Sequence, residues 1–394
     1  MSTSFDLAVV GAGIHGVGIA QAAAAAGHSV LLLEQTAIAA GSSSRSSKLI
    51  HGGLRYLETG QFALVRESLH ERAVMLRLAP TLVRLQRFYI PVYAHTRRRP
   101  WQLRLGLTFY ALLAGLGAEA RFGTVPRREW QQLDGLDTAG LEAVFYYHDG
   151  QTDDAALTRA VLRSAQQLGA QFACPARFES AQLHEDGVAL RYRCDGAAAE
   201  CHARVLVNAA GPWAAQLARQ ITPAIEVPPL ECVQGAHIVL PGRLERGIYY
   251  LESPRDGRAV FVMPWKDQVL VGTTETRFHG DPSQVAAHPA EIHYLLGVLR
   301  HYFPRWRSRN EQAIGSSFAG LRVLPAGAGH AFHRSRETQL VLDRAIRPRV
   351  LSVYGGKLTT WRAVSQRALQ RIARALPRRR VVARTDALPL RATD

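Results

Sequence analysis

The sequence predicts an α/β protein that combines a mostly parallel sheet with a separate antiparallel sheet. Within residues 6–33, an apolar segment, a glycine-rich turn, an alanine-rich run and a second apolar segment follow one another. This is the order of a β-α-β unit. Between residues 225 and 345, short apolar runs are separated by Pro, Gly and Asp, a pattern typical of antiparallel strands.

The β-α-β unit carries the first motif with chemical meaning. Strands are predicted at Asp6–Val10 and Ser29–Leu33, and Gly11-Ala12-Gly13-Ile14-His15-Gly16 opens a helix that runs to Ala26. Glycines allow a tight turn, and the N–H groups of a helix N-terminus favour a pyrophosphate. Glu34 ends the second strand, where a carboxylate accepts hydrogen bonds from a ribose. The unit therefore predicts a Rossmann-like dinucleotide-binding site, but the motif does not show whether the dinucleotide is NAD or FAD.

The segment Gly41–Tyr56 favours a flavin. Its serines suit phosphate and ribityl oxygens, and its glycines let the backbone approach a flat ring. Arg55 adds a cation beside that ring. A simple nicotinamide-binding domain has no need of such a segment after its second strand.

The next part of the chain predicts helices and one strand. Phe62–Leu85 has the apolar spacing of an amphipathic helix, and Phe88–Tyr93 predicts a strand. Trp101–Leu116 is strongly apolar with arginines on both sides. It is either a helix packed on the core or a helix lying in a membrane surface, and both interpretations stay open. Acidic residues favour a helix N-terminus, so Asp153-Asp154 predicts a helix that ends at Leu168.

Strands dominate the second half. Val205–Val207 is predicted to return to the first sheet, and a helix is predicted near residues 290–302. A last strand, Leu351–Tyr354, precedes a helix over Leu358–Leu376. The strands of the antiparallel sheet are predicted at His237–Leu240, Ile248–Leu251, Ala259–Met263, Val269–Thr273 and Gln339–Leu342.

These elements predict two domains and a tail. The nucleotide-binding domain is discontinuous and occupies residues 1–85, 150–222 and 346–376. The substrate-binding domain occupies residues 86–149 and 223–345, and a basic tail occupies residues 377–394.

Composition narrows the function classes. The 394 residues are 47% hydrophobic and carry a formal net charge of +16. The apolar share excludes a disordered chain, and the charge attracts anionic substrates or lipid headgroups. The sequence contains neither a zinc-ligand pattern nor an RNP-type motif, so we expect no metal and no nucleic-acid partner. Four cysteines without CxxC spacing predict reduced thiols and a cytoplasmic location.

The run Ser46–Glu58 closely resembles the FAD-dependent glycerol-3-phosphate dehydrogenases, which belong to the flavoprotein superfamily of D-amino-acid oxidase. Six further motifs follow in the order of that family. They are Asp153-Asp154, Asn208–Trp213, Gly235–Val239, Gly272–Glu275, Gly320–Arg322 and Tyr354–Arg362.

The resemblance implies a non-covalently held FAD. It implies oxidation of sn-glycerol 3-phosphate to dihydroxyacetone phosphate by hydride transfer to flavin N5. It further implies that a quinone or another acceptor takes the electrons, at an anionic membrane surface on the inner face of the cell. Three alternatives remain: a related oxidase or dehydrogenase of another 2-hydroxy acid or an amine, a non-catalytic FAD-binding redox protein, and a plain NAD-dependent dehydrogenase.

Four side chains are expected to be catalytic. His237 is the candidate base for the hydroxyl proton, since imidazole has a pKa near neutrality, and His51 is the second candidate. Arg55 and Arg322 match arginines of the family's substrate pocket, and guanidinium groups hold phosphate with two hydrogen bonds. Lys357 is one of only three lysines, and Lys is a compact charge where Arg does not fit. The expected substrate-binding residues are Arg55, Tyr56, His237, Thr274, Arg322 and Lys357.

The expected cofactor-binding residues come from the glycine turn, the serine-rich segment and the later motifs. They are Gly11, Gly13, Ile14, His15, Gly16, Glu34, Gln35, Ser42, Ser46, Ser47, Lys48, Leu49, His51, Gly52, Gly53, Phe178, Ala210, Gly211, Trp213, Gly320, Arg322, Gly356, Lys357, Leu358 and Thr359. The helix after Gly356 is expected to direct its N-terminus at the flavin pyrimidine, where negative charge builds up on reduction.

The sequence departs from the family pattern in three places. Glu275 stands where the family usually has Asp, and Val-Leu-Pro follows Arg322 where many members have Pro-Leu. Full-length relatives also continue into a helical C-terminal domain, so the resemblance predicts a short form.

Overall fold

The computed structural model describes residues 3–326 and 337–392. Within them the α-helices are α1 (Ile14–Ala25), α2 (Phe62–Leu78), α3 (Pro100–Leu113), α4 (Asp154–Gln167), α5 (Ala214–Ala218), α6 (Pro289–Tyr302) and α7 (Trp361–Ile372). The strands are β1 (Thr3–Val10), β2 (Val30–Leu33), β3 (Leu49–Ile50), β4 (Val83–Tyr93), β5 (Gly123–Thr124), β6 (Leu141–Thr152), β7 (Gln171–Ala173), β8 (Ala176–Leu183), β9 (Val188–Cys194), β10 (Ala197–Asn208), β11 (Ile221–Thr222), β12 (Leu230–Pro241), β13 (Ile248–Glu252), β14 (Ala259–Trp265), β15 (Gln268–Gly272), β16 (Thr276–Phe278), β17 (Ser316–Pro325), β18 (Gln339–Leu342) and β19 (Val350–Tyr354).

The first sheet has a parallel centre. Its order is β11-β8-β9-β10-β1-β2-β7, and β19 joins β10 with β18 beyond it. The pairings β10–β1, β1–β2, β2–β7 and β10–β19 are all parallel. Helix α1 packs against α4 and α7, and one core cluster buries apolar residues of β1, α1, α4 and α7. This is the predicted Rossmann-like arrangement.

The second sheet has the order β16-β12-β15-β14-β13-β4-β6-β3, with β17 on β12 and β5 on β6. Its pairings are antiparallel except for the parallel pair β13–β4. Helix α6 packs on β12 and β15, where Leu295, Leu296 and Leu299 are buried. The predicted α/β class with one mostly parallel and one mostly antiparallel sheet is confirmed.

Some predicted elements were wrong in detail. The helix predicted over Phe62–Leu85 ends at Leu78, because Ala79 precedes Pro80 and a residue before proline avoids helical geometry. The final helix begins at Trp361 rather than at Leu358. The predicted domain boundaries stay a prediction, and their parts at residues 1–2, 327–336 and 393–394 lie outside the described residues.

One strand was assigned to the wrong sheet. Gln339–Leu342 was predicted in the antiparallel sheet, but β18 pairs with β19 in the first sheet. Asp343 closes this hairpin, since its Oδ1 accepts hydrogen bonds from the backbone N–H groups of Arg349 (2.8 Å) and Val350 (3.0 Å). A short apolar run carries no signal about which strand it will pair with, so the sequence alone misplaced it.

Helix α3 has two apolar faces. Leu103, Leu107 and Tyr110 are buried, whereas Trp101 is 65% and Leu105 is 51% exposed. The buried face agrees with a helix packed on the core, and the exposed apolar face agrees with a helix that lies in a membrane surface. None of the helices among the described residues has the length and apolarity needed to cross a bilayer.

Candidate active site

A cavity of about 970 Å³ is lined by residues of both sheets. Its size lies within the range of small-molecule and cofactor sites, roughly 300–1,000 Å³. The lining includes Arg55, His237, Arg322 and Lys357 together. Most of the other residues predicted from the sequence also line it. They are Gly11, Gly13, Ile14, His15, Glu34, Gln35, Ser42, Ser46, Ser47, Leu49, His51, Gly53, Tyr56, Phe178, Ala210, Gly211, Trp213, Gly320, Gly356, Leu358 and Thr359.

The glycine turn brings the N-terminus of α1 to one end of the cavity. A Cβ on Gly16 would lie 1.8 Å from the carbonyl oxygen of Gly11, so only glycine lets the helix pass this close to the turn. Glu34 fixes the turn from the side, because its Oε2 accepts a hydrogen bond of 2.9 Å from the N–H of Ala12. Ser43 Oγ accepts another of 2.9 Å from the N–H of Ile14.

A buried ion pair supports the serine-rich segment from behind. Lys48 Nζ lies 2.7 Å from Asp154 Oδ1 and donates to the carbonyl of Ser44 at 2.5 Å. Asp154 Oδ2 accepts hydrogen bonds from the N–H (3.0 Å) and hydroxyl (2.7 Å) of Ser46. Lys48 was expected to contact the cofactor, but it is not among the residues that line the cavity. The buried carboxylate of Asp154 holds the ammonium group of Lys48 on the side of the segment that faces away from the cavity.

His237 lies on β12 in the wall of the cavity. Its Nε2 lies 3.0 Å from Ser47 Oγ, and its ring stacks on Phe318 with centroids 4.9 Å apart. Burial, followed by the charges of Arg322 and Lys48, lowers the pKa of His237 to about 3. The imidazole is therefore neutral at neutral pH, and it is a much weaker base than the near-neutral pKa expected from the sequence.

Arg322 is held by the turn that follows β15. Its NH2 donates to Thr273 Oγ1 at 3.0 Å, and its NH1 lies 3.4 Å from the carbonyl oxygen of Thr274 and 3.5 Å from Glu275 Oε1. Thr274 was expected to bind substrate, but Thr273 lines the cavity and Thr274 does not. The hydroxyl of Thr274 instead points toward Glu291.

Two further cations flank the ring of Tyr56. Lys357 Nζ lies 3.8 Å and Arg55 Cζ lies 4.9 Å from the ring centroid, and Arg55 also donates to the Tyr56 hydroxyl at 3.1 Å. The ring covers Gly53, where a Cβ would lie 2.4 Å from it. Such contacts between cations and an aromatic ring are attractive, so Tyr56 helps to set the distance between the two cations.

A model of the FAD dependent oxidoreductase family matches residues 6–362. The chain belongs to this family. Among its relatives is a glycerol-3-phosphate dehydrogenase from Pseudomonas aeruginosa, 38% identical over 93% of this chain and 71% of the relative. A D-erythritol 1-phosphate dehydrogenase from Brucella abortus is 35% identical over 94% of this chain and 74% of the relative. The structure of a glycerol-3-phosphate dehydrogenase from Bacillus halodurans, complexed with FAD, is similar with a TM-score of 0.76 and 24% identity, covering 98% of this chain and 68% of that one.

The residues present fit FAD, the cofactor of this family. The N-terminus of α1 suits a pyrophosphate, and Glu34 lines the same cavity. The serine-rich segment and the Gly355–Thr359 loop line the other part of the cavity. When bound, FAD supplies a ring that accepts a hydride from the substrate.

Residues at the end of the serine-rich segment also contact the second sheet. Strand β3 pairs with β6, and the N–H of Gly52 donates to the hydroxyl of Tyr110 at 2.9 Å. Thr359 Oγ1 accepts a hydrogen bond of 3.1 Å from the N–H of His51. Gly52 itself does not line the cavity and neither does Gly16, so both act through the close packing of the backbone rather than by contact.

Sequence reasoning missed several residues of the cavity wall. Ser43 and Arg45 lie within the segment Gly41–Tyr56, so the sequence did contain a signal for these two residues. Tyr250 and Phe261 come from β13 and β14, and Thr273 was passed over in favour of its neighbour. No local sequence pattern predicts that the two aromatic residues line the cavity. The alternation along a strand shows which side chains share a face, but not which part of the structure packs against that face.

Proposed function

We propose that this enzyme oxidises sn-glycerol 3-phosphate to dihydroxyacetone phosphate, with FAD as the first electron acceptor and a quinone or another acceptor as the second. The observation that carries the proposal is the meeting of a neutral His237 with Arg55, Arg322 and Lys357 at one cavity. The 38% identity to a glycerol-3-phosphate dehydrogenase supports it.

Each of these residues has a role in the proposed reaction. His237 accepts the proton of the substrate hydroxyl. A hydride passes to the flavin from the carbon that carries this hydroxyl, so that a C=O bond remains. Arg322 and its neighbours Arg55 and Lys357 bind the phosphate, because charge-assisted hydrogen bonds to phosphate are among the strong ones.

A longer polyol phosphate is the second candidate substrate. A relative named D-erythritol 1-phosphate dehydrogenase is 35% identical over 379 residues. The cations of the cavity suit the phosphate of either compound, so the remaining hydroxyl groups would decide between them.

The test is an anaerobic titration of the FAD-loaded protein. We expect sn-glycerol 3-phosphate to bleach the flavin absorption band, with D-erythritol 1-phosphate as the second arm. 2-Hydroxyglutarate and amino acids serve as unphosphorylated controls. Bleaching by a control alone would replace the proposed substrate class, and no bleaching by any of them would favour a non-catalytic flavoprotein.

We also propose that α3 attaches the enzyme to an anionic membrane surface. Trp101, Leu105, Phe109 and Leu112 are 65%, 51%, 48% and 51% exposed, and their spacing places them on one face of the helix. Exposed arginines occur before, within and after this helix along the chain, namely Arg97, Arg99, Arg104, Arg121, Arg127 and Arg128. An apolar face bordered by Arg is typical of a helix that lies in the lipid headgroups, where a membrane quinone would be within reach.

A further inference from the structure

We infer that Glu291 is a positioning residue for Arg322, and that it acts through Thr274 and Thr276. The inference rests on the proposed function, since it concerns how the enzyme holds the phosphate of its substrate. Glu291 lies in the first turn of α6 and is only 6% exposed. It is not among the residues that line the cavity.

The carboxylate of Glu291 accepts four hydrogen bonds. Its Oε1 accepts from the hydroxyls of Thr274 (2.6 Å) and Thr276 (2.8 Å). Its Oε2 accepts from Gln234 Nε2 (2.5 Å) and from the N–H of His288 (3.0 Å). A buried carboxylate needs such partners, and four donors around it match an ionised group that only accepts.

Thr274 transmits this arrangement to the site. Its Oγ1 accepts a hydrogen bond of 2.8 Å from the N–H of Ala236, which is the neighbour of His237. A hydroxyl has a single proton, so the Thr274 proton must point to Glu291 while its lone pair faces Ala236. The turn is therefore locked to α6 on one side and to β12 on the other.

Arg322 depends on this turn for its orientation. It contacts Thr273 Oγ1, the carbonyl oxygen of Thr274 and the carboxylate of Glu275, which are three consecutive residues. A guanidinium group binds phosphate well only when its planar fork is aimed correctly. A shift of the turn by a fraction of an ångström would thus weaken phosphate binding without removing any charge from the cavity.

The test compares Thr274→Val with Thr274→Ser in the FAD-loaded enzyme. Valine keeps the shape of threonine but removes its hydroxyl, whereas serine keeps the hydroxyl. We measure the perturbation of the oxidised-flavin spectrum by inorganic phosphate, and KM and kcat for sn-glycerol 3-phosphate. For Thr274→Val we expect a rise of about tenfold in the phosphate dissociation constant and in KM, with kcat changed less than about threefold. We expect serine to restore most of the loss.

Glu291→Gln gives a second route to the same result. An amide has one acceptor oxygen and one NH2 group, so it cannot accept from all four donors around Glu291, and we expect a similar rise in KM. The double variant Thr274→Val/Glu291→Gln should be no worse than the poorer single variant, because the two residues act in one chain. If Thr274→Val does not fold, Thr276→Val removes the other Oε1 contact, and we expect a rise of about threefold.

The outcomes separate the inference from the proposed function. Wild-type phosphate affinity and KM in Thr274→Val overturn the inference, and reduction of the wild type by sn-glycerol 3-phosphate then still supports the function. Equal losses in the valine and serine variants also overturn it, because they indicate packing rather than hydrogen bonding. If no polyol phosphate reduces the wild type, the proposed function fails, and the phosphate titration alone decides the inference.

Discussion

Burial and the neighbouring cations keep His237 neutral to a much lower pH than an ordinary histidine. The side chain is 1% exposed, and the cations Arg322 and Lys48 oppose a second proton on the ring. When a substrate hydroxyl transfers its proton to this imidazole, the bound phosphate offsets part of the repulsion from Arg322. The pKa of His237 therefore depends on whether a phosphate is bound beside Arg322.

Replacing His237 with Asn should slow flavin reduction about 10²- to 10⁴-fold, the usual contribution of a positioned general base. Asn keeps a polar group beside Ser47, so we expect substrate affinity to stay within about threefold of wild type. Stopped-flow absorbance under anaerobic conditions gives both values. A variant that is reduced at the wild-type rate would exclude His237 as the proton acceptor.

Arg322→Ala should raise KM for sn-glycerol 3-phosphate about 10- to 100-fold, since a hydrogen bond to a charged group contributes roughly 1.5–3 kcal/mol. FAD content should not change. The matched control is Arg277→Ala, because Arg277 lies on β16, which like β17 pairs with β12, and its side chain is 57% exposed. Loss of FAD with an unchanged KM would show that Arg322 binds the cofactor rather than the substrate.

At the scale of elements, the segment from Ser42 to Leu57 determines the shape of the site. It is tied to α4 through Asp154, to the second sheet through β3 and to α3 through Tyr110. Because these contacts come from three separate elements, we expect a defect in any one of them to displace residues that line the cavity.

Lys48→Met should strongly destabilise the protein, although Lys48 does not line the cavity. The change leaves the Asp154 carboxylate, which is fully buried, without its cation, and breaking a buried pair costs about 3–5 kcal/mol. We expect a lower Tm and reduced FAD content. In Lys48→Met/Asp154→Asn the unpaired charge is gone, so part of the Tm should return. Equal Tm values for wild type and Lys48→Met would contradict a supporting role for the pair.

Leu105→Glu/Phe109→Glu should abolish most binding of the protein to vesicles that contain anionic lipid. Both side chains are about half exposed, so the change should leave Tm within about 2 °C of wild type. The matched control is Val381→Glu/Val382→Glu, two other exposed apolar residues (63% each). Cosedimentation gives the bound fraction, and equal binding by both double variants would rule out α3 as the attachment site.

The sequence predicted elements whose signals are local. The β-α-β unit, the helix over 290–302 and the strands around His237 have patterns within a few residues, and each appears in the structure. The position of β18 and the direction of the Lys48 and Thr274 side chains depend on Val353, Asp154 and Glu291. Those partners lie far along the chain or on another element, where spacing and composition give no information.

At the scale of the whole molecule, His237 makes stability depend on pH. Its pKa is about 3 in the folded protein against an ordinary value of 6.5. The unfolded chain thus takes up a proton below pH 6.5 that the folded protein does not accept. The stabilisation is complete above that pH and is lost as pH falls toward 3, at up to about 1.4 kcal/mol per pH unit.

Urea unfolding at pH 7, 6, 5 and 4.5 measures this dependence. We expect the free energy of unfolding to fall with acidification in the wild type, and to fall less steeply in His237→Asn, which has no group to titrate there. Identical slopes for the two proteins would mean that His237 is protonated as readily in the folded state as in the unfolded chain.

The centre of the first sheet joins β1 with β10 and β19, strands that lie about 200 and 350 residues along the chain. The cavity likewise needs both Gly11 and the loop at Gly355–Thr359. A nascent chain on the ribosome therefore cannot assemble a complete pocket until nearly all of these residues have been translated. Contacts of such large sequence separation slow folding, so we expect FAD to bind only after β19 and the Gly355–Thr359 loop have joined the first sheet.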